Sequence, residues 1–415
     1  MIKKYILPFI ALLFGISIFS GCGTIWVARP GGETERMIPY TAIVFREGDN
    51  VRAMDSVGVI RAGTDTGKSV SDVIQQAVDL CKKGGEVRIK AGEYRLERSV
   101  VVDYPCTISG EGRGTILVPP ANQFAFCVQK TQRSPVLSDW VWGDKKGKMP
   151  QWLDDLCAER LYGVNVRSLA IVGYGCGKGI YLKGLSECNF VDLWIHITND
   201  GAALYLDSTV METEFRNIHC YNNGSAENKE ATLVIDSQQE GDSNNNLHFD
   251  KVYILLPSYI GVQIGSEGKK YAPRLIYFSH CFFHGWYPLK YLAPYDLIQI
   301  QHCAPQRGVT ITESRFTLPG AGCAAVHLGP DTLAQVSNCN FGGLAAKSDY
   351  IRADARAKLI ATDNCFNTLN QAENLAIRAE KADTIIQNNV FLAGPDCVRI
   401  EQPKNSILQS NIFTK

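Results

Sequence analysis

"IRAD" at 351–354, "IRAE" at 377–380 and "VRIE" at 398–401 are three copies of one apolar-polar-apolar-polar tetrad. Arg352, Arg378 and Arg399 fall at intervals of 26 and 21 residues, and Asp354, Glu380 and Glu401 follow them two positions on. Alternation with period two is the signature of a strand, whose successive side chains face opposite ways; a helix would set apolar residues three and four apart. The same slot is filled upstream by "IYLK" (180–183), "LYLD" (204–207), "LVID" (233–236), "VQIG" (262–265), "IQIQ" (298–301) and "VHLG" (326–329).

A phenylalanine follows each tetrad in similar surroundings: Phe190, Phe215, Phe249, Phe282, Phe316, Phe341, Phe366, Phe391 and Phe413, at intervals of 22–34 residues. A period in the twenties marks a solenoid, whose units bury their apolar sides only against their neighbours. The longer intervals read as the same unit with a loop inserted. About three short strands fit into one unit, with Asn, Asp and Gly supplying the turns, so each unit is expected to be one coil of a parallel β-helix. The phenylalanines are expected to form one repeated core position. One amphipathic helix is expected within "SVSDVIQQAVDLCKKGG" (69–85), where Val70, Val73, Ile74, Ala77, Val78 and Cys81 share a face and Gly84 and Gly85 stop it. It would cap the open end of the coil.

The stretch "SDVIQQAVDLCKKGGEVRIKAGEYRLERSVVVDYPCTISGEG" resembles the opening of pectate lyase-like right-handed β-helix proteins, through Val87, Ile89, Gly92, Tyr94, Gly110 and Gly112. The resemblance implies an all-β, right-handed parallel β-helix over roughly 60–413 with an N-terminal capping helix. It implies no single activity, because that superfamily holds lyases, hydrolases and proteins that only bind.

Lys+Arg and Asp+Glu both number 42 in 415 residues, and this balance argues against a nucleic-acid partner, which needs a basic face. The first residues, "MIKKYILPFIALLFGISIFSGC", read as an export signal and resemble a bacterial lipoprotein leader, with Cys22 as the lipidated residue. The expected organisation is a leader over 1–21, a tether over 22–45 and a β-helix over 46–415 with a loop insertion at about 131–160. The expected place is the bacterial cell envelope, with the membrane reached through a lipid on Cys22. Of the 14 cysteines, Cys188, Cys281, Cys339 and Cys365 sit one or two positions before a phenylalanine, a regularity that suits small buried apolar residues better than disulfides.

In a β-helix the same slot on adjacent coils becomes a ladder of side chains about 4.8 Å apart. The tetrad arginines and acids near the end then read as two neighbouring ladders in a solvated ion-pair network. Upstream, Asp207 and Asp236 fill equal slots on consecutive coils, with Lys183 in the slot before. Two carboxylates so placed need a cation or basic group between them, which suits shared calcium or the acid and nucleophile of a glycosidase. Tyr181 and Tyr205 are placed to stack on a sugar ring, and Trp140, Trp142 and Trp152 are candidates for a sugar-contacting loop. Lys183 and His327 are the candidate bases, by analogy with the lyases that the chain resembles. A second stripe of Trp194, His196, His219, Tyr221, Tyr253 and His284 suits either a glycan chain or a satellite core. "AGTDTGKS" (62–69) fits a permissive phosphate-loop pattern but leads into β-coils rather than a doubly wound sheet, so it is set aside. The expected function is processing of an acidic polysaccharide by a lyase or glycosidase; the alternative is a non-catalytic β-helix that binds glycan or a partner.

Overall fold

The computed structural model describes residues 25–28, 34–37, 40–82, 84–130, 160–237, 244–266, 272–285, 295–317, 319, 321–343, 348–367, 374–403 and 405–414. From Glu86 onward the named strands pair in parallel with strands of the adjacent coils, on both sides through the middle of the solenoid. The result is a right-handed parallel β-helix with three sheets. The tetrad sheet runs from Val100–Val102 through Leu233–Asp236 to Val398–Glu401. A second sheet includes Glu86–Ile89 and Arg274–Ser279, and a third includes Gly92–Arg95 and Phe282–His284.

Long strands turn the corner between the second and third sheets through one left-handed residue. Asn189–His196 bends at Asp192 (φ 56°), and the same corner is made by Asn217, Asn338, Asp363 and Asn388. Asn and Asp tolerate this conformation best among residues with a Cβ, and they make it on these coils, whereas Lys251, His280 and Glu313 take the same left-handed corner on the coils between. Asn364 and Asn389 add to it from inside: each side-chain amide donates to a strand carbonyl of the preceding coil, at 2.9 Å, while its oxygen accepts a backbone N–H.

The core differs from the single expected phenylalanine column. Phe190, Phe215, Phe249 and Phe278 stack within the second sheet, whereas Phe283, Phe316, Phe341, Phe366, Phe391 and Phe413 stack within the third. The two columns meet where Phe278 and Phe283 pack edge to face at 5.9 Å. Phe282 therefore points outward, beneath the Arg315 guanidinium. Within the columns, successive ring centroids lie 4.6–5.2 Å apart. That is the strand spacing itself, so backbone pairing dictates the ring stack. Of the four cysteines expected to be buried, Cys188, Cys281 and Cys339 are free and buried, and burial pushes each thiol up to about 12, whereas Cys365 is free but only half-buried.

The helix forms at Val70–Asp79, with Ser69 and Asp72 making a reciprocal capping box. It covers the first coil in a specific way. The Gln75 amide donates to the Val101 carbonyl and accepts from the Val101 N–H, both at 2.9 Å, replacing the strand that a further coil would have supplied. Ser71 does the same for the backbone of Glu97 and Arg98. Beside it, Ala42–Glu47 pairs in parallel with Glu86–Ile89, so ordered sheet begins within the stretch expected to be a tether.

Phe341 sits between Phe316 and Phe366 with its side chain fully buried. Phe341→Ala is expected to lower the unfolding free energy by about 3–5 kcal/mol, read from urea unfolding; a loss under about 1 kcal/mol would show that the column adds little.

Candidate functional site

Register brings the expected residues of the tetrad sheet together. Tyr181 faces Tyr205, Lys183 faces Asp207, and Asp207 faces Asp236 on consecutive strands. The Tyr181 hydroxyl donates to Asp207 Oδ2 at 2.5 Å, and Lys183 Nζ stands 3.4 Å from the same oxygen. The Ser208 hydroxyl donates to Asp207 Oδ1 at 3.0 Å. Asp236 accepts from the Ser237 N–H at 2.8 Å and from the Ser266 hydroxyl at 2.9 Å. Both carboxylates are buried, at 8% and 3% exposure, so their charge is met by placed partners rather than by bulk water. Burial first, and the bond to Asp207 second, raise the Tyr181 pKa above the usual phenol range. The phenol is therefore held protonated, as a donor.

The backbone beside Asp207 is strained. Ser208 and Thr209 both take positive φ (37° and 58°), a costly choice for a β-branched residue. Buried Asn244 holds the bend: its oxygen accepts the Val210 N–H at 2.8 Å, and its amide donates to the carbonyls of Leu206 and Asp236. One side chain thus ties the strand ends that carry the two carboxylates.

Tyr181 and Tyr205 stack on each other at 5.9 Å, and Phe124 packs against both. Tyr205 also belongs to a small satellite core with Val234, Ile260, Tyr259 and Tyr295. The ring faces are largely spent on one another, and the polar edge of Tyr181 is what meets Asp207. Lys183 and Tyr181 occupy Asp207 Oδ2, and among the described residues no group of three His, Cys, Asp or Glu is placed to hold a metal.

His327 stands apart from this cluster, three strands further along the same sheet. Its Nδ1 lies 2.8 Å from Asp296 and its Nε2 3.0 Å from Asp354. Burial opposes charge on the ring, but the bonds to Asp296 and Asp354 outweigh it and hold the His327 pKa up to about 9. At neutral pH the ring is an imidazolium clamped between two carboxylates, not a free base.

Downstream, Arg352 and Arg378 do not form the expected network with the tetrad acids beside and diagonal to them. Arg352 and Arg378 both turn back to Asp349, at 3.0 and 2.9 Å, and its side chain is fully buried. Asp354 goes to His327 instead, and Glu380 and Glu401 are exposed. The reason is geometric: stacked cations at one strand spacing need anions between them, and Asp349 at the strand start reaches two at once. Asp296, Asp349 and Ser266 were not singled out in the sequence because they lie outside the tetrads; comparing the residues just before and after each tetrad would have found them.

In the second stripe, Trp194, His219 and Tyr253 form a stacked column, with centroids 6.2 and 4.4 Å apart, and Arg113 covers the Trp194 face. Burial and Arg113 together hold His219 below the ordinary imidazole range. These rings also spend their faces on each other. Trp140, Trp142, Trp152 and Cys22 lie outside the described residues.

No family model matches the chain, and no curated protein is similar to it. Solved structures are. The chain is similar to PfbA, a surface adhesin of Streptococcus pneumoniae, at 11% identity and a TM-score of 0.62, over 84% of this chain and 88% of that one. It is similar to ORF18 of Geobacillus virus E2 at 14% identity and a TM-score of 0.56, over 96% and 70%. It is also similar to the tailspike gp49 from Acinetobacter baumannii bacteriophage Fri1, a capsular polysaccharide depolymerase, at 11% identity and a TM-score of 0.52, over 97% and 68%. At such identities the likeness is one of fold.

The His327 clamp fixes a sign for pH dependence. A folded pKa raised from 6.5 to about 9 means its stabilisation is complete below pH 6.5 and lost as pH rises through 9. The wild-type thermal midpoint is expected to fall over pH 6.5–9 by more than that of His327→Gln, measured by circular dichroism; parallel curves would remove the clamp.

Proposed function

We propose that this chain is a polysaccharide-processing protein that cleaves an acidic glycan on its tetrad sheet. One observation carries the reading: a buried carboxylate, Asp207, held between a neutral phenol and an ammonium, one strand from a second buried carboxylate. That arrangement favours β-elimination from a uronate chain. Lys183 offsets the uronate carboxylate and acidifies the adjacent C–H. Asp207 takes that proton, the electron pair forms the new double bond, and the glycosidic oxygen leaves with the proton of Tyr181. Asp207 then returns its proton to Tyr181, and the site is restored. A second reading, hydrolysis by two carboxylates, is supported by the Asp207–Asp236 register, since strand spacing of about 4.8 Å is close to the separation used by retaining glycosidases.

The depolymerase tailspike and the adhesin share the fold, and they bracket the alternatives: a cleaving protein and a binding one. The leader-like start supports export and a lipid anchor at Cys22 in the bacterial envelope. Cys22→Ser is expected to move the protein from the membrane fraction to the soluble one; unchanged partition would remove the anchor.

A panel of polyuronates separates the readings. Elimination gives products that absorb in the ultraviolet, whereas hydrolysis gives reducing ends without that absorbance. Tyr181→Phe is expected to lower turnover by about 10²–10⁴-fold, and Asp207→Asn to abolish it, with circular dichroism unchanged. Glycan binding without turnover by the wild-type protein would make this a binding β-helix.

A further inference from the structure

On the second sheet, around the corner from the tetrad sheet, the outward ladder reads Arg88, Ser109, Arg167, Val191, Arg216 over five successive coils. Large cations alternate with short side chains. The short ones leave gaps, and the result is a groove of about 750 Å³ with a guanidinium at every second strand. The parallel ladder beside it reads Glu86, Thr107, Asn165, Asn189 and Glu214, so the groove floor is acidic at Glu86 and amide through its middle, where Asn189 donates to Asn165 at 2.9 Å.

The arginines are poorly neutralised. Arg167 reaches Glu86 only at 3.4 Å, and Glu86 already accepts the Ser109 hydroxyl. Arg88 stands 3.6 Å from Glu111, whose carboxylate is taken by Lys90 at 2.8 Å and the Ala91 N–H at 3.0 Å. Arg216 has no ion pair among the described residues. Asp250, next in its ladder, turns away to Ser279 and His280. Asp192, at the corner, accepts from Asn217 at 2.7 Å. A protein of zero formal net charge has thus placed three half-spent forks in one trough, above amide side chains able to bond hydroxyls.

We propose that this groove is a second glycan-contact site, which binds the carboxylates of an acidic polysaccharide chain at a distance from the tetrad sheet. The guanidiniums recur every second strand, roughly 9.6 Å apart at the backbone. An extended polymer with an acid on alternate residues of one face matches such a row, and each carboxylate accepts two N–H groups from one fork. Asn165 and Asn189 lie between the forks to bond sugar hydroxyls. The site stands independently of the cleavage proposed above, and would hold a long chain on the protein whether or not the tetrad sheet cuts it.

The test is calorimetric titration of the full chain with oligogalacturonate and oligomannuronate, and with a neutral cello-oligosaccharide of equal length. The acidic oligomers are expected to bind, with affinity falling as salt rises, and the neutral one not to bind. Arg167→Ala with Arg216→Ala is expected to weaken acidic binding at least about tenfold, while Arg167→Lys with Arg216→Lys falls between. Both pairs are exposed, so the melting temperature checks that the fold is kept. Affinity unchanged in the alanine pair, no acidic oligomer bound by the wild type, or equal binding of the neutral oligomer would each overturn the site. Binding that persists in Asp207→Asn with Asp236→Asn, where turnover is lost, separates this groove from the cleavage reading.

Discussion

Parallel pairing of each strand with its copy one coil away sets everything else in this protein. It stacks like on like at about 4.8 Å, and the consequence depends on the side chain. For phenylalanine it is favourable throughout: the rings stack with nearly parallel planes and are fully buried, except at the last coil, where Phe413 is only half-buried. For charged groups it is a conflict, because a column of one sign repels itself. The molecule resolves that conflict differently on each face. Cations on the tetrad sheet are tied by acids reaching in from strand starts, as Asp349 does for two arginines. On the second sheet Ser109 and Val191 space the arginines apart.

The same constraint makes the two ends unlike. The first coil is closed by side chains that imitate a strand, above all Gln75, whose amide supplies one donor and one acceptor at backbone spacing. The last coil has no such cover among the described residues, and Ile407, Leu408 and Ile412 are about half exposed. Amphipathicity of the helix explains its burial, but its polar residues Ser71 and Gln75 do the edge-sealing. An exposed strand edge costs far more than an exposed apolar face when it recruits another chain.

Period two in the tetrads and a period in the twenties made the β-helix and the Lys183–Asp207–Asp236 alignment legible in the sequence, because each depends only on counting along a regular strand, and the capping helix was legible from its own apolar face at helical spacing. What was not legible depends on where a strand starts or a loop returns. Phe282 and Phe283 are adjacent, and only pairing with Tyr253 and Ile254 decides which one enters the core. Asp296 and Asp349 precede their tetrads, so His327 read as a candidate base and Arg352 and Arg378 as partners of the tetrad acids. The arginine row was hidden for a similar reason: its members sit next to core residues that vary among Val, Ile and Phe.

The three charged clusters differ in how completely their charges are matched, and that difference separates scaffold from site. Asp349 has two guanidiniums and no exposed surface, so nothing further can be added to it. His327 is bound at both nitrogens, and its proton is committed. Asp207 is different: one oxygen is shared between a phenol and a more distant ammonium, and the backbone beside it is held in a conformation that its own residues disfavour. Its nearest donor is a phenol at 2.5 Å, and the ammonium beside it stands further off at 3.4 Å. Ion pairs closed on both sides stabilise the coil, whereas Asp207 combines a neutral donor, a distant cation and strained neighbouring backbone, and that combination is what the proposed chemistry rests on.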